Sequence, residues 1–79
     1  MKKPNLKILM AATLNNFHNP LLKCMPDQIT GKKYSLCLME TDSPSENRIS
    51  KHISSYYSPK ELIAFMEGYY QALYNNHLN

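Results

Sequence analysis

The sequence predicts an α+β fold, a three-stranded antiparallel sheet with one C-terminal helix packed on it, in the order β-β-β-α. Three observations carry this. Residues 33–40 alternate, with Tyr34, Leu36 and Leu38 on one face and Ser35, Cys37 and Met39 on the other. Ser58-Pro59-Lys60-Glu61 is a capping box with proline at the first helical position. The length, 79 residues, allows a single domain (1–79), and three strands need a helix on one face to fold alone.

The elements follow in order. Residues 6–14 form a short apolar run whose length fits a strand or a helix, and a strand continuing toward Phe17 is the expectation. Residues 20–32 hold Pro20, Pro26, Asp27 and Gly31 and read as a long loop, with a hairpin turn at Thr30-Gly31-Lys32-Lys33 leading into the strand at 33–40. Residues 41–47 form a polar loop, and 48–57 a third strand with Ile49, Ile53 and Tyr57 sharing a face.

The last element is a helix from Pro59 to about Asn75, where Asn75-Asn76 can end it. Tyr57 and Leu62 flank its cap as a hydrophobic staple. At 100° per residue Leu62, Met66, Tyr69 and Leu73 form the core stripe. Ile63, Tyr70 and Tyr74 fall on one flank and Phe65 on the other, so the apolar arc spans roughly 200°, wider than a single small sheet needs. On the far side Ala64, Gly68 and Ala72 make a row of small side chains along which a second helix could approach. The candidate protein interface is therefore Ala64, Gly68, Ala72, Phe65, Tyr70 and Tyr74, because tyrosine favours interface cores with one wet end. A homodimer is one partner this row allows.

Hydrophobic residues are 43% and charged residues 19%, a globular balance. The net charge of +3 is modest, yet unevenly spread. Residues 1–39 carry Lys2, Lys3, Lys7, Lys23, Lys32 and Lys33 against Asp27 alone, a balance of +5. Residues 40–79 carry Arg48, Lys51 and Lys60 against Glu40, Asp42, Glu46, Glu61 and Glu67, a balance of −2. The molecule is bipolar provided its halves do not interleave, and a basic end invites RNA or an acidic protein surface. Lys23, Lys32, Lys33, Tyr34, Lys51 and Tyr56 are the candidate contacts for nucleic acid or such a surface, with tyrosines stacking bases and lysines holding phosphates.

Catalytic and metal chemistry find little support. Cys24 and Cys37 are too few for a disulfide scaffold and form no CxxC pair. A metal set of His18, Cys24, Cys37 and His52 matches no zinc spacing, His77 reads as terminal, and no metal or other cofactor is expected. Glu40 and Asp42 read as solvated loop charges rather than an acid–base pair. Gly31-Lys32-Lys33 lacks the first glycine and the Ser/Thr of a phosphate loop. Lys7 interrupts the apolar run after Met1-Lys2-Lys3, which argues against a signal peptide, and no segment approaches the roughly 20 apolar residues of a membrane span. A cytoplasmic protein with reduced thiols and no membrane partner is the expectation.

The stretch from Ile53 to Leu73 resembles a pattern of small phage and mobile-element proteins: a strand, then Ser/Thr-x-Lys-Glu-Leu (here Ser58-Pro59-Lys60-Glu61-Leu62), then a helix with an aromatic residue and a central glycine, here Gly68. The resemblance covers about the last third of the chain. It implies a protein that binds and blocks a host machine, as anti-CRISPR proteins do, in the bacterial host cytoplasm. The expected function is thus a small non-catalytic interaction protein, an inhibitor binding a protein or ribonucleoprotein defence complex such as a CRISPR-Cas effector. The alternative is a small RNA- or single-stranded-nucleic-acid-binding protein.

Overall fold

A computed structural model of the chain describes residues 5–75; Lys2, Lys3, Asn76 and His77 lie outside the described residues. The order is α1 (Leu6–Asn15), β1 (Leu22–Pro26), β2 (Tyr34–Met39), β3 (Ile49–His52) and α2 (Pro59–Asn75). The three strands make one antiparallel sheet with β2 in the centre. The fold is α+β as expected, but a helix precedes the sheet, so the order is α-β-β-β-α.

Two expectations fail at the N-terminal end. Residues 6–14 are a helix, not a strand. Asn5 caps it, accepting from the N–H of Lys7 (3.0 Å) and of Ile8 (3.4 Å), and so satisfies donors that a strand would have placed in a ladder. The supposed loop at 20–32 contains the first strand. Asn19 turns the chain into it by accepting from Leu21 N–H at 3.0 Å, and Pro26 is tolerated because it closes an edge strand.

The remaining turn is a hub of hydrogen bonds. The Asp27 carboxylate accepts from the N–H of Ile29 (3.0 Å), Thr30 (2.6 Å), Gly31 (3.4 Å) and Lys33 (3.1 Å), and from the Thr30 hydroxyl (2.8 Å). Gly31 takes the left-handed backbone, φ 69°, that closes the hairpin. These donors hold the Asp27 carboxyl well below the usual carboxylate range, the Thr30 backbone contributing most.

Register fixes which face each side chain uses. Leu22, Cys24 and Pro26 pair with Leu38, Leu36 and Tyr34, and these form the helix-facing side. Lys23 and Met25 pair with Cys37 and Ser35 on the opposite side. The strand expected at 48–57 is shorter, and a bulge corrects its faces. Leu38 pairs with Lys51 but Met39 pairs with Ile49, leaving Ser50 as the extra residue. Ile49 thereby joins the open face with Met39, whereas Ile53 packs in the core. Tyr57 regains the sheet through a bridge to Tyr34, with N–H···O bonds of 2.7 and 2.8 Å.

The core is Met10, Phe17, Leu22, Leu36, Leu62 and Met66. α2 lies on β2, and α1 lies beside α2 and over β1. The thinnest extent, 20 Å, has room for two layers, so both helices share one side of the sheet. The capping box forms as read: Ser58 N–H and hydroxyl donate to Glu61 Oε1 (3.1 and 3.0 Å), and Glu61 N–H donates to Ser58 Oγ (3.3 Å). Tyr57 puts its ring on Phe65, centroids 6.0 Å apart. Leu73, expected in the core stripe, is exposed. At 17 residues α2 runs roughly 25 Å against roughly 20 Å for the six residues of β2, so its last turn overhangs the sheet.

Glu61, like Asp27, is held below its ordinary pKa, first by the Ser58 backbone N–H and then by its hydroxyl. A depressed carboxyl stabilises the fold above its unfolded pKa and loses that contribution as pH falls through the folded value. The melting temperature is expected to drop below about pH 4, and Asp27→Asn with Glu61→Gln should flatten that acid limb in thermal melts. An added Cβ at Gly68 meets nothing within 4 Å. Gly68→Ala should therefore raise stability by about 1 kcal/mol in urea denaturation.

Candidate protein interface

At the C-terminal ends of the two helices an aromatic cluster reaches the surface. Phe17, just past α1, is buried between the helices. Its ring meets Tyr69 at 5.9 Å and Tyr70 edge-on at 5.5 Å. Tyr70 in turn meets Tyr74 at 4.6 Å, and the Tyr74 hydroxyl donates to the Phe17 carbonyl at 3.4 Å. Tyr70 and Tyr74 are nevertheless 38% and 43% exposed, with exposed Leu73 beside them in sequence. A groove of about 460 Å³, lined by Thr13, Asn16, Glu67, Tyr70 and Gln71, opens next to them between α1 and α2. Rings braced from behind and open in front can bury area with little loss of rotamer freedom.

The six residues proposed as an interface from sequence do not make one patch. Ala64, Gly68 and Ala72 are exposed along α2 as read. They lie on the flank away from α1, whereas Tyr70 lines the groove with α1. Phe65 is half-buried and belongs to the packing, stacked on Tyr69 at 5.9 Å and on Tyr57.

The basic set is divided too. Lys23 is half-buried on the open face, paired with Cys37. Lys51 pairs with Leu38 and so leaves the sheet on the helix side. Tyr34 is half-buried against the core rather than presented for stacking. Lys32 and Lys33 are exposed in the Asp27 turn, near an isoleucine, Ile29, that is 95% exposed and that sequence reasoning did not single out. Nor does the charge asymmetry become two poles: β2 from the basic half pairs with β3 from the acidic half, and α1 packs on α2. Among the described residues the ion pairs are those of Arg48, with Glu46 at 3.0 Å and Glu40 at 3.7 Å, so Glu40 is engaged in closing its loop.

The open face of the sheet holds a polar cluster that alternation alone placed only in part. His52 Nδ1 lies 2.9 Å from Ser35 Oγ and 3.3 Å from Cys37 Sγ. The Ser35 hydroxyl donates to the Ser54 carbonyl (2.7 Å), and Ser54 Oγ accepts from Leu36 N–H (2.9 Å) just beyond the end of β3 at His52. Ser35 and Cys37 are wholly buried. Tyr56 is exposed beside His52, ring centroids 5.7 Å apart, at a hollow of about 440 Å³ lined by residues 52–56. The sequence places Ser54 within the expected strand 48–57 and gives no signal for its role, because the strand in fact ends at His52.

Both thiols are held protonated. Burial, with Cys37 nearby, pushes Cys24 up to about 11, and its Sγ rests 3.9 Å from Met66 Sδ. Burial also raises Cys37, against a smaller opposing effect of the Ser35 hydrogen bond. Cys24 and Cys37 project to opposite faces of the sheet, and among the described residues no three of His, Cys, Asp and Glu gather as metal ligands. No helix among the described residues is long and apolar enough to cross a membrane. In comparisons with known proteins, no family, no curated protein and no solved structure matches this chain.

Raised, buried thiols should alkylate slowly. In iodoacetamide labelling at pH 8, both cysteines are expected to react at least tenfold more slowly in the native protein than in urea, since only the thiolate attacks.

Proposed function

We propose that this chain is a non-catalytic interaction protein that docks on a protein surface through the aromatic end of its helical layer. The observation that carries the reading is the Phe17–Tyr70–Tyr74 cluster, whose two outer rings are fixed in place yet open to solvent. Fixed tyrosines beside a groove are the kind of anchor that dominates protein interfaces. The likeness of the last third of the chain to small phage proteins supplies the partner class, a host defence complex such as a CRISPR-Cas effector. Protonated thiols, one half-buried and one buried, support contact rather than nucleophilic chemistry.

A second reading, binding of single-stranded RNA or DNA, has one observation in its favour. His52 and Tyr56 pair beside a hollow, with Lys23 in the same cross-strand row as Cys37 and His52. Bases could stack there.

The test mixes the purified chain with assembled CRISPR-Cas effectors, with and without nuclease, and follows co-elution and target cleavage. Nuclease-resistant co-elution with loss of cleavage is expected. Tyr70→Ala with Tyr74→Ala should weaken binding by about tenfold or more. Absence of co-elution with every effector class tried, together with unchanged phage plating on hosts that carry them, sinks the inhibitor reading. Oligonucleotide binding that weakens steeply with salt and is lost in Tyr56→Ala would replace it with the second.

A further inference from the structure

We propose that His52 is a proton-switched recognition residue for a nucleobase stacked on Tyr56. The fold holds its Nδ1–H inward, so its outer nitrogen, Nε2, accepts a hydrogen bond when the ring is neutral and donates one when it is charged. The nucleobase rests on the single-strand reading given second above; the state of the ring does not.

The protons of the network can be counted. A backbone carbonyl carries no proton, so the 2.7 Å contact between Ser35 Oγ and the Ser54 carbonyl requires the Ser35 hydroxyl to donate there. A hydroxyl has one proton. Ser35 Oγ is then left with lone pairs for His52 Nδ1, 2.9 Å away, and Nδ1 must carry the proton that joins them. Cys37 agrees. Its thiol donates to the Ser35 carbonyl at 3.5 Å, which leaves sulfur lone pairs facing Nδ1 at 3.3 Å. A neutral imidazole has one N–H, so Nε2 holds the other lone pair. Among the described residues Nε2 has no hydrogen-bond partner, and His52 is exposed.

Protonation adds an N–H at Nε2 and leaves the Nδ1–H, and hence the network, as it was. The ring thus reverses its outward polarity while the fold stays the same. On β2 it faces Ser35 and Cys37, on β1 the cross-strand row ends at Lys23, and beyond β3 stands Tyr56. None of the three strands contains Asp or Glu, so no carboxylate in the sheet consumes the imidazolium when it forms. The Tyr56 ring lies beside it, centroids 5.7 Å apart and planes tilted by 57°, at the hollow of about 440 Å³. A base lying on Tyr56 turns its edge toward the tilted imidazole. Cytosine offers an amino donor at that edge and thymine a carbonyl acceptor. The neutral ring favours the first and the imidazolium the second.

Nitrogen-15 NMR of the imidazoles tests the ring, and paired oligonucleotides test the ligand. Above the pH at which His52 titrates, found in the same spectra, Nδ1 is expected to be protonated and Nε2 bare. Below it both carry protons and the backbone amide spectrum is unchanged. Oligodeoxycytidine should bind about fivefold more tightly than oligothymidine of the same length above that pH, and more weakly below it. The ratio cancels the phosphate attraction that a new positive charge brings to both strands. In His52→Gln the ratio should not change with pH. The ring assignment is overturned by a native neutral ring protonated at Nε2 and bare at Nδ1, or by loss of amide dispersion as His52 titrates. The recognition role is overturned if both strands bind with a ratio that is the same on either side of the titration. If neither strand binds, that role falls together with the single-strand reading.

Discussion

The rest of this structure depends on the contact between α2 and the central strand. Leu62 and Met66 on the helix and Leu36 on β2 are wholly removed from solvent. Full burial of each is worth roughly 1.5–3 kcal/mol, a large share of what so small a chain can gather. The capping box at Ser58 and Glu61 fixes where α2 begins, and the bridge between Tyr34 and Tyr57 ties that start to the sheet. The cap and the bridge together aim the helix along β2. α1 is secondary. It reaches the core through Met10, Leu14 and Phe17 and packs beside α2.

Putting both helices on one side leaves the other face of the sheet with no helix over it among the described residues. That face is protected by its own chemistry instead. Its centre is built of small or slender residues, Ser35, Cys37 and Met39, buried among neighbours from the flanking strands. β3 ends at His52, which leaves Leu36 N–H without a ladder partner, and Ser54 Oγ supplies one. Ser35, Ser54, Cys37 and His52 then satisfy one another. A buried polar network of this kind stabilises only when every member is paired, and among the described residues no buried side-chain nitrogen or oxygen lacks a partner. The Cys37–His52 proximity, which in another setting would suggest a nucleophile and its base, here belongs to that network: the sulfur is inaccessible and its thiol is raised.

What the sequence made legible follows from how local the cause is. The start of α2 could be read because the cap, the proline and Glu61 lie within four residues and need no tertiary help. The faces of β2 could be read because alternation is also local. α1 was misread because its nine-residue apolar run satisfies two periods, and the deciding residue, Asn5, lies outside the run. β1 was hidden by Pro20 and Pro26, whose turn signals are real at the strand's two ends. The face assignment around Ile49 failed on one inserted residue. The tyrosines of α2 were recognised as surplus to the core, yet their grouping with Ala64, Gly68 and Ala72 was wrong, because the position of α1 decides which flank of α2 is free, and that is tertiary information.

The interleaving of the two halves decides how charge is spread over the molecule. A +5 and a −2 half, kept apart, would make a dipole that steers association over a distance of about a Debye length. The sheet forbids this, because its central strand comes from one half and an edge strand from the other. With the charges mixed, no such dipole forms. The exposed apolar surfaces are short of charge as well. The outer face of α1 has no charge, and the tyrosine cluster has Glu67 alone along its groove. Phe17 anchors the end of α1, and its ring braces Tyr70, on which Tyr74 rests. Phe17 thus sets the geometry of both exposed surfaces, although it is itself buried.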